Sequence, residues 1–329
     1  MKVLNVINGK RMFHVVNLLL LINLLVVVGV IKGSGKYLKE NLAYVEPSRD
    51  KIYIYPSGKK TEKVFYLPSG HEVVYLKWLY LKNRLYYVEH DDKLKVYDGK
   101  ILSIDDMKVK RFEDEVGEKI LNTVKNNFGV SYIDFLKVDF NESKEYMFFR
   151  VLNTPIKDVT SMVIVRKSDG EVILLNKRIV WYDVSPDERY VVYSTFVDNQ
   201  NLHTGRREEI LYLFDLKKGK SVFLTCGRHP VFCGNSSLIY LKYSESWRLS
   251  PMKYDLISGK IQPVRNPWSG VPYNIIWKEF DCWELSGCYN LYFTRRSGML
   301  CGLVLIKFDL TTGTKEFVSM GVECFSVSR

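Results

Sequence analysis

Three stretches of this chain end a run of apolar residues in the same way, with an Asp followed four residues later by a Gly. Because Asp bonds the backbone of its own turn and Gly adopts a positive φ, this pattern predicts β-hairpins. A hairpin unit that recurs every few tens of residues cannot bury both of its faces alone and stacks on neighbouring units, as propeller blades do. The three pairs are Asp215 and Gly219, Asp255 and Gly259, and Asp309 and Gly313.

Glycines at comparable turns predict six such units, so we expect a six-bladed β-propeller in an all-β domain spanning residues 41–329. The widest gap between these glycines contains an apolar residue every fourth position from Phe112 to Phe128, which predicts an inserted amphipathic helix within residues 107–129. The marker glycines are Gly58, Gly99, Gly170, Gly219, Gly259 and Gly313.

Strands can be assigned within most of these units. The first unit has only three, at 42–45, 52–55 and 63–67. We expect the apolar run 323–327 to supply its missing strand, which would close the ring and leave no sheet edge open. The second unit is predicted at 72–78, 84–89, 93–97 and 101–104, the third at 132–139, 145–152, 162–166 and 171–175, the fourth at 179–184, 190–195, 210–215 and 221–225, and the last two begin near Pro230 and Pro272.

The N-terminal region predicts a membrane anchor. Residues 12–31 contain no charged side chain, and twenty helical residues cover about 30 Å, the thickness of the hydrocarbon core. A cleaved signal peptide is the alternative, but its apolar region is shorter, and Ile31-Lys32-Gly33-Ser34-Gly35 is a poor cleavage site. We therefore expect a cytoplasmic tail at 1–11, a transmembrane signal anchor at 12–32 and a linker at 33–40.

Cysteine usage predicts on which side of the membrane the domain lies. Three basic residues precede the uncharged span 12–31 and three follow it closely, so the positive-inside rule gives no clear orientation. Six cysteines clustered in the last third favour a disulfide-permitting compartment, and two glycosylation triplets, at Asn141 and Asn235, agree. We therefore expect a single-pass protein with its propeller outside the cytoplasm. The disulfide candidates are Cys226, Cys233, Cys282, Cys288, Cys301 and Cys324.

The spacing of Cys226, His229 and Cys233 fits two interpretations. The three side chains match the ligands of a zinc site, but no fourth ligand is evident nearby. A disulfide between the two cysteines is favoured outside the cytoplasm, so neither a metal nor a cofactor is predicted. By the same reasoning, we expect a disulfide between Cys282 and Cys288 across a loop. A third disulfide, between Cys301 and Cys324, would join the last blade to the closing strand.

The formal charge of +11 does not predict nucleic-acid binding. Residues 1–40 hold six Lys or Arg against the single acid Glu40, and the remaining excess is dispersed along the chain. A concentrated basic run with interleaved aromatic residues is missing from the sequence. The expected partners are therefore the membrane and a protein at the cell surface or in the periplasm.

The run Ser185-Pro186-Asp187-Glu188-Arg189, placed before an apolar strand, resembles the first hairpin of the WD40-like repeat of TolB-type β-propellers. That hairpin is commonly written as Ser-Pro-Asp-Gly before a Lys or Arg, so Glu188 departs from it. Residues 213–220 resemble the second half of the same repeat, and the units around Asp255 and Asp309 match in part. Propellers of this family serve as periplasmic interaction modules or as gating domains of serine peptidases, and the sequence shows no appended hydrolase domain. The resemblance therefore implies an interaction module.

The sequence lacks the Gly-x-Ser-x-Gly nucleophile turn, sialidase-type turns and phosphate-binding loops. An extracytoplasmic hydrolase or lyase with carboxylates in the propeller channel stays as an alternative, as does an accessory subunit that assembles through Asn17 and Asn23 of the anchor. Loop carboxylates are more often turn formers than catalysts. The carboxylates considered are Asp91, Asp92, Asp183, Asp187 and Glu284.

Tryptophans give the last expectations. Trp78, Trp181 and Trp277 fall in predicted inner strands and are expected to anchor the core. Trp268 and Trp283 fall in predicted loops and are the candidates for contact with a partner.

Overall fold

The structure of the chain is a computed structural model. It is all-β, with four-stranded antiparallel sheets built mostly from consecutive strands and with two short helices. The structure describes residues 41–56, 62–80, 83–135, 138–152, 160–175, 178–196, 209–243, 249–264, 283–286, 290–296, 303–309, 312, 315–320 and 324–327.

The described strands form six sheets, and in each sheet hydrogen-bonded neighbours follow one another along the chain, apart from one strand. The exception is the C-terminal strand, which joins the first sheet. The first sheet contains β1 (Leu42–Val45), β2 (Lys51–Tyr55), β3 (Lys63–Tyr66) and β24 (Cys324–Val327); the second β4 (His71–Trp78), β5 (Arg84–Asp91), β6 (Val96–Ser103) and β7 (Val109–Arg111); the third β8 (Val138–Glu142), β9 (Tyr146–Leu152), β10 (Thr160–Arg166) and β11 (Val172–Leu175).

The later sheets repeat this order. The fourth contains β12 (Ile179–Val184), β13 (Tyr190–Phe196), β14 (Glu209–Asp215) and β15 (Lys220–Cys226); the fifth β16 (Arg228–Phe232), β17 (Ser237–Tyr243), β18 (Leu249–Asp255) and β19 (Ile261–Pro263); the sixth β20 (Trp283–Ser286), β21 (Asn290–Arg296), β22 (Leu303–Asp309) and β23 (Lys315–Met320).

Two of the predicted Asp-to-Gly turns are confirmed, and Gly313 of the third lies outside the described residues. The Asp215 carboxylate accepts hydrogen bonds from the amides of Lys217 and Lys218, both at 3.0 Å, and Gly219 has a φ of 63°. Asp255 binds its own turn in the same way, and Gly259 has a φ of 69°. These turns therefore form because the carboxylate satisfies amides that no strand partner reaches, and because glycine accepts the left-handed backbone.

The predicted turn at Gly99 is wrong. Gly99 lies inside β6, where an added Cβ would lie 2.7 Å from the Phe135 ring, so its role is to allow close packing. The actual turn begins at Asp91 and ends at Lys95, which takes the left-handed position with a φ of 56°. The strands predicted at 93–97 and 101–104 are consequently one strand, and the fourth strand of the sheet is β7, which had been assigned to the helical insertion.

The inserted segment contains two helices, α1 (Phe112–Val116) and α2 (Glu118–Phe128), separated at Gly117. Phe112 is fully buried, with its ring centroid 5.6 Å from that of Tyr86 in β5 and 4.9 Å from that of Phe140 in β8. The insertion therefore fills the space between the second and third sheets. Gly129 caps α2 in the left-handed conformation, so both helices lie within the predicted residues 107–129.

The C-terminal strand pairs with the first strand of the domain, as the sequence predicts. β24 runs antiparallel to β1, with Leu42 opposite Val327 and Val45 opposite Cys324. The predicted anchor at residues 12–32 lies outside the described residues. Within the described part of the chain, no helix is long and apolar enough to cross a membrane.

Glu188 links two neighbouring sheets, which explains its departure from the glycine of the repeat. Its backbone takes the left-handed conformation, with a φ of 55°. Its carboxylate accepts hydrogen bonds from the Ser143 hydroxyl and from the amides of Lys144 and Glu145, at 2.8 to 2.9 Å, in the turn between β8 and β9. The side chain therefore compensates the backbone strain with contacts that glycine cannot make.

We expect Glu188→Ala to lower the free energy of unfolding by about 1–2 kcal/mol, because three charge-assisted hydrogen bonds between sheets are lost while the strained φ is kept. Glu188→Gly should cost less, because glycine relieves the strain. Urea unfolding of the three proteins gives this order directly. A glycine variant that is less stable than the alanine variant would contradict this account.

Candidate functional site

The first strands of four sheets each carry a candidate side chain at an equivalent position. In the second to fifth sheets, the amide just after the first strand donates a hydrogen bond to a carbonyl at the start of the second strand. Because this bond recurs in all four sheets, it defines equivalent positions in their first strands. Four residues before that amide lie Tyr75, Asp139, Trp181 and His229. All four side chains are partly buried. The aligning amides belong to Leu79, Ser143, Ser185 and Cys233.

The strands are irregular at this position in three of the four sheets. The register shifts between Val73 and Tyr75 in β4, between Ile179 and Trp181 in β12, and beside His229 in β16. His229 also has a left-handed backbone, with a φ of 50°. Bulges and strained residues turn side chains out of the regular alternation and occur often beside functional sites.

Asp139 is the centre of a hydrogen-bonded ion cluster. Its carboxylate accepts hydrogen bonds from the Tyr75 hydroxyl at 3.0 Å and from Lys77 Nζ at 2.5 Å, and it lies 3.2 Å from Arg150 Nη2. Burial works to raise the pKa of Asp139, but the charges of Lys77 and Arg150 and the hydrogen bonds outweigh it and hold that pKa below its usual value. Asp139 is therefore an anion at neutral pH.

Aromatic rings flank the two cations. Lys77 Nζ lies 5.3 Å from the centroid of the Tyr182 ring, and the Arg150 guanidinium lies 5.8 Å from the Trp181 ring and 6.0 Å from the Tyr182 ring. These distances allow cation–π attraction. The site therefore combines charge with flat apolar surface. We call it the first-strand cluster, which comprises Tyr75, Lys77, Asp139, Arg150, Trp181, Tyr182 and His229.

His229 is uncharged at neutral pH. Its ring centroid lies 4.9 Å from that of Trp181. Burial, together with the positive charges of Arg228 and Arg150, lowers the pKa of His229 to about 3. An unfolded histidine binds a proton below pH ~6.5, so the folded state loses relative stability as the pH falls from there toward 3.

We therefore expect His229→Gln to flatten the loss of stability in acid. Between pH 7 and pH 5, the wild type should lose up to about 2 kcal/mol more free energy of unfolding than the variant, because its unfolded state alone gains the proton. Urea unfolding at the two pH values measures this difference. Equal losses in both proteins would show that His229 titrates normally in the folded state.

A polar layer lies beside the cluster, two residues further along the first strands. Asp183 is fully buried and accepts hydrogen bonds from the Tyr80 hydroxyl at 2.8 Å and from the Phe232 amide at 2.7 Å. Asn141 accepts a hydrogen bond from the Tyr80 amide at 2.8 Å. These hydrogen bonds connect residues of four sheets. The Asn141 side chain is buried, so it is inaccessible to glycosylation in the folded protein.

The structure does not bring together the carboxylates singled out from the sequence. Asp91 and Asp187 bond within their own turns, and Asp92 lies beside His90 in the same hairpin. Asp183 is buried, and the side chain of Glu284 lies outside the described residues. Lys77, Asp139 and Arg150 were not among the candidates from the sequence, because their proximity depends on how separate sheets are arranged.

The cysteine and tryptophan predictions are partly corrected. Cys226 is exposed and free, so the predicted bridge between Cys226 and Cys233 is wrong, whereas Cys233 itself is disulfide-bonded. Among the described residues, no three His, Cys, Asp or Glu side chains form a metal-binding group, so the zinc alternative has no support there. Cys282, Cys288 and Cys301 lie outside the described residues, and Cys324 lies in β24.

Trp78 is a core residue of β4, as predicted, whereas Trp181 belongs to the partly exposed cluster. Trp283 was predicted in a loop, but it begins strand β20. Trp268 and Trp277 lie outside the described residues.

Comparison with known proteins identifies the fold. Neither a family model nor a curated protein matches the sequence. Among solved structures, TolB from Acinetobacter baumannii is similar with a TM-score of 0.55 at 11% identity, over 88% of this chain and 66% of that one. A putative TolB from Agrobacterium tumefaciens is similar with a TM-score of 0.46 at 10% identity, over 87% of this chain and 90% of that one. An oligogalacturonate lyase from Vibrio parahaemolyticus is similar with a TM-score of 0.42 at 10% identity, over 87% of this chain and 74% of that one. The chain thus spans just under two thirds of the Acinetobacter protein, and it has a TolB-like β-propeller fold.

Proposed function

We propose that this protein is a membrane-anchored, six-bladed β-propeller that binds a protein or other ligand outside the cytoplasm and acts as an interaction scaffold. The observation that carries the proposal is the first-strand cluster, which gathers residues from four sheets at one accessible place. In a propeller the first strand of each blade lines the central channel, so the cluster would lie at the channel. The pairing of β24 with β1 supports a ring closed by the C-terminal strand.

The ionisation of the cluster favours binding over catalysis. A general acid or base works best with a pKa near the working pH. The pKa of Asp139 is below its usual value and that of His229 is about 3, so neither group exchanges protons near neutrality. The cluster is therefore better suited to holding a ligand by charge and by ring contacts.

The second candidate function is an extracytoplasmic hydrolase or lyase. The observation in its favour is that Lys77, Asp139 and Arg150 converge on one accessible point. A role as an accessory subunit of a membrane complex is compatible with the main proposal, because such a subunit also binds a protein partner.

The exposed thiol of Cys226 tests the location of the domain. A membrane-impermeant maleimide added to intact cells should label the full-length protein, and Cys226→Ser should lose most of this label because Cys226 is the exposed free cysteine of the described residues. Labelling that requires permeabilised cells would place the domain inside and overturn the proposed location.

The scaffold role is tested by crosslinking in intact membranes, followed by purification of the full-length protein. We expect a discrete crosslinked partner that diminishes when Trp181→Ala is used, while the exposed outer-strand variant Phe223→Ala captures the partner like the wild type. Turnover of a glycan or peptide substrate by the purified protein, with no crosslinked partner, would favour the enzyme instead.

A further inference from the structure

The outer edge of the fourth sheet is open along β15. This strand is the last of its sheet and pairs with β14, and no other described strand bonds its far side. Every second residue of an antiparallel edge strand directs its N–H and C=O groups away from the neighbouring strand. β15 therefore presents backbone donors and acceptors to which another extended chain can bond.

β15 is also longer than the outer strands of the other sheets. It has seven residues, whereas β3, β7, β11, β19 and β23 have three to six. Short outer strands are one way in which proteins protect open edges from pairing. A register shift at Leu224 interrupts β15, so its regularly paired part is residues 220–223. This part is exposed throughout and is the section of the edge available to a partner.

A row of rings crosses the fourth sheet and ends at this edge. The rings of Tyr193 and Tyr212 stack with their centroids 5.5 Å apart, and the Tyr212 centroid lies 6.1 Å from that of Phe223 in a T-shaped arrangement. Tyr193 is buried, whereas Phe223 is 58% exposed. Because ring pairs on adjacent strands stabilise a sheet, an aromatic residue on an added strand would continue the row beyond Phe223.

The exposed apolar residues of this edge do not form one flat patch. Val222 is 60% exposed and precedes Phe223 directly. Neighbouring residues of a strand point to opposite faces of the sheet, so these two side chains lie on different sides of the edge. This arrangement suits a strand, whose side chains also alternate, better than a flat lipid surface.

Three lysines lie at the start of this edge. Lys217, Lys218 and Lys220 are exposed, and none of them forms an ion pair within the described part of the chain. The Asp215 carboxylate beside them is buried, accepts hydrogen bonds from two amides of its own turn and lies 3.9 Å from Arg189. The three ammonium groups are therefore available to the acidic side chains of a partner.

We propose that β15 docks an extended acidic peptide of a partner protein, which joins the fourth sheet as an added strand along residues 220–223. An aromatic residue of the peptide contacts Phe223, and Asp or Glu residues pair with the three lysines. Backbone hydrogen bonds supply affinity, while the charges and the ring contact supply specificity. This surface goes beyond the proposed function, because Trp181 of the first-strand cluster lies in β12, at the opposite edge of the same sheet.

The test measures binding of a fluorescein-labelled peptide to the full-length protein in neutral detergent micelles by fluorescence anisotropy. The peptide carries a short acidic run followed by alternating Thr and Phe. Saturable binding is expected, and added salt should weaken it because the lysines are exposed. Lys217→Gln, Lys218→Gln and Lys220→Gln combined should weaken binding about tenfold. Phe223→Ala should weaken it about threefold.

N-methylation of the peptide tests the strand pairing itself. Methyl groups on alternate amides should abolish binding when those amides face β15. The same number of methyl groups shifted by one residue should leave binding intact, because adjacent amides of a strand point in opposite directions. Equal effects of the two methylation patterns would contradict an added strand.

Lys260→Gln and Tyr66→Ala are the matched controls. They change an exposed lysine at the equivalent turn of the fifth sheet and an exposed ring on the outer strand of the first sheet. Both should bind the peptide like the wild type. Absent saturation, equal binding by the triple lysine variant, or binding of phosphatidylserine vesicles but not of the peptide would overturn the inference. If the peptide fails while Trp181-dependent crosslinking persists, the edge site is wrong and the proposed function stands.

Discussion

Truncation of the chain after Gly321 is expected to lower the melting temperature of the whole domain by roughly 10 °C. The truncation removes β24, whose four residues pair with β1. At about 1 kcal/mol for each ladder hydrogen bond, the loss is about 4 kcal/mol. A domain of this size loses about 2–4 °C for each kcal/mol.

The physical reason is the position of β1. Its four residues are buried, with Leu42, Ala43 and Val45 fully so. Without β24, β1 becomes an open edge strand with unpaired backbone groups, and open edges also promote aggregation. The effect should therefore appear in the cooperative transition of the domain and in its solubility.

Truncation after Val327 is the control, because it leaves all four pairs of β24 intact. This shorter deletion should melt like the full chain in calorimetry. If the two truncated proteins melt at the same temperature, β24 contributes nothing to stability, and its pairing with β1 does not close the ring.

We expect Asp183→Ala to cost about 3–5 kcal/mol in free energy of unfolding. The Asp183 carboxylate accepts hydrogen bonds from the Tyr80 hydroxyl and from the amides of Val184 and Phe232, and it is fully buried. Alanine leaves these three donors buried without this acceptor, and each costs about 1–3 kcal/mol. Denaturant unfolding followed by tyrosine and tryptophan fluorescence measures the loss.

Two variants separate this effect from a general sensitivity of the hairpin. Asp183→Asn keeps one acceptor oxygen and should cost less than alanine. Asp187→Ala lies in the exposed turn that follows, where water can replace the lost bonds, and should cost about 1 kcal/mol or less. An Asp183→Ala protein as stable as Asp187→Ala would show that Asp183 does not hold the sheets together.

The sequence predicts the architecture well where local chemistry determines the turn. Asp215 and Gly219 form the expected turn because both residues act within a few positions of each other. Gly99 gave a wrong turn, because the sequence cannot distinguish a glycine that makes room for the Phe135 ring from a glycine that supplies a positive φ. Lys95 shows the converse: it takes the left-handed turn position without any glycine to signal it.

The first-strand cluster is not predictable in the same way. Its members come from different sheets, separated by 62 residues for Lys77 and Asp139, and their proximity depends on how the sheets are arranged. Bulges in β4, β12 and β16 shift the side chains out of simple alternation, so a period of two assigns Trp181 to the core. The repeat resemblance gives the fold but carries no binding residues.

Native-state hydrogen exchange of the full-length protein tests the closed ring most directly. The amides of residues 42–45 and 324–327 should exchange together, with an opening free energy close to that of the core strands β12 and β13, because strands in one cooperative unit open together. Rapid exchange of residues 324–327 while β12 and β13 stay protected would contradict the closed propeller, and with it the channel that the first-strand cluster is proposed to line.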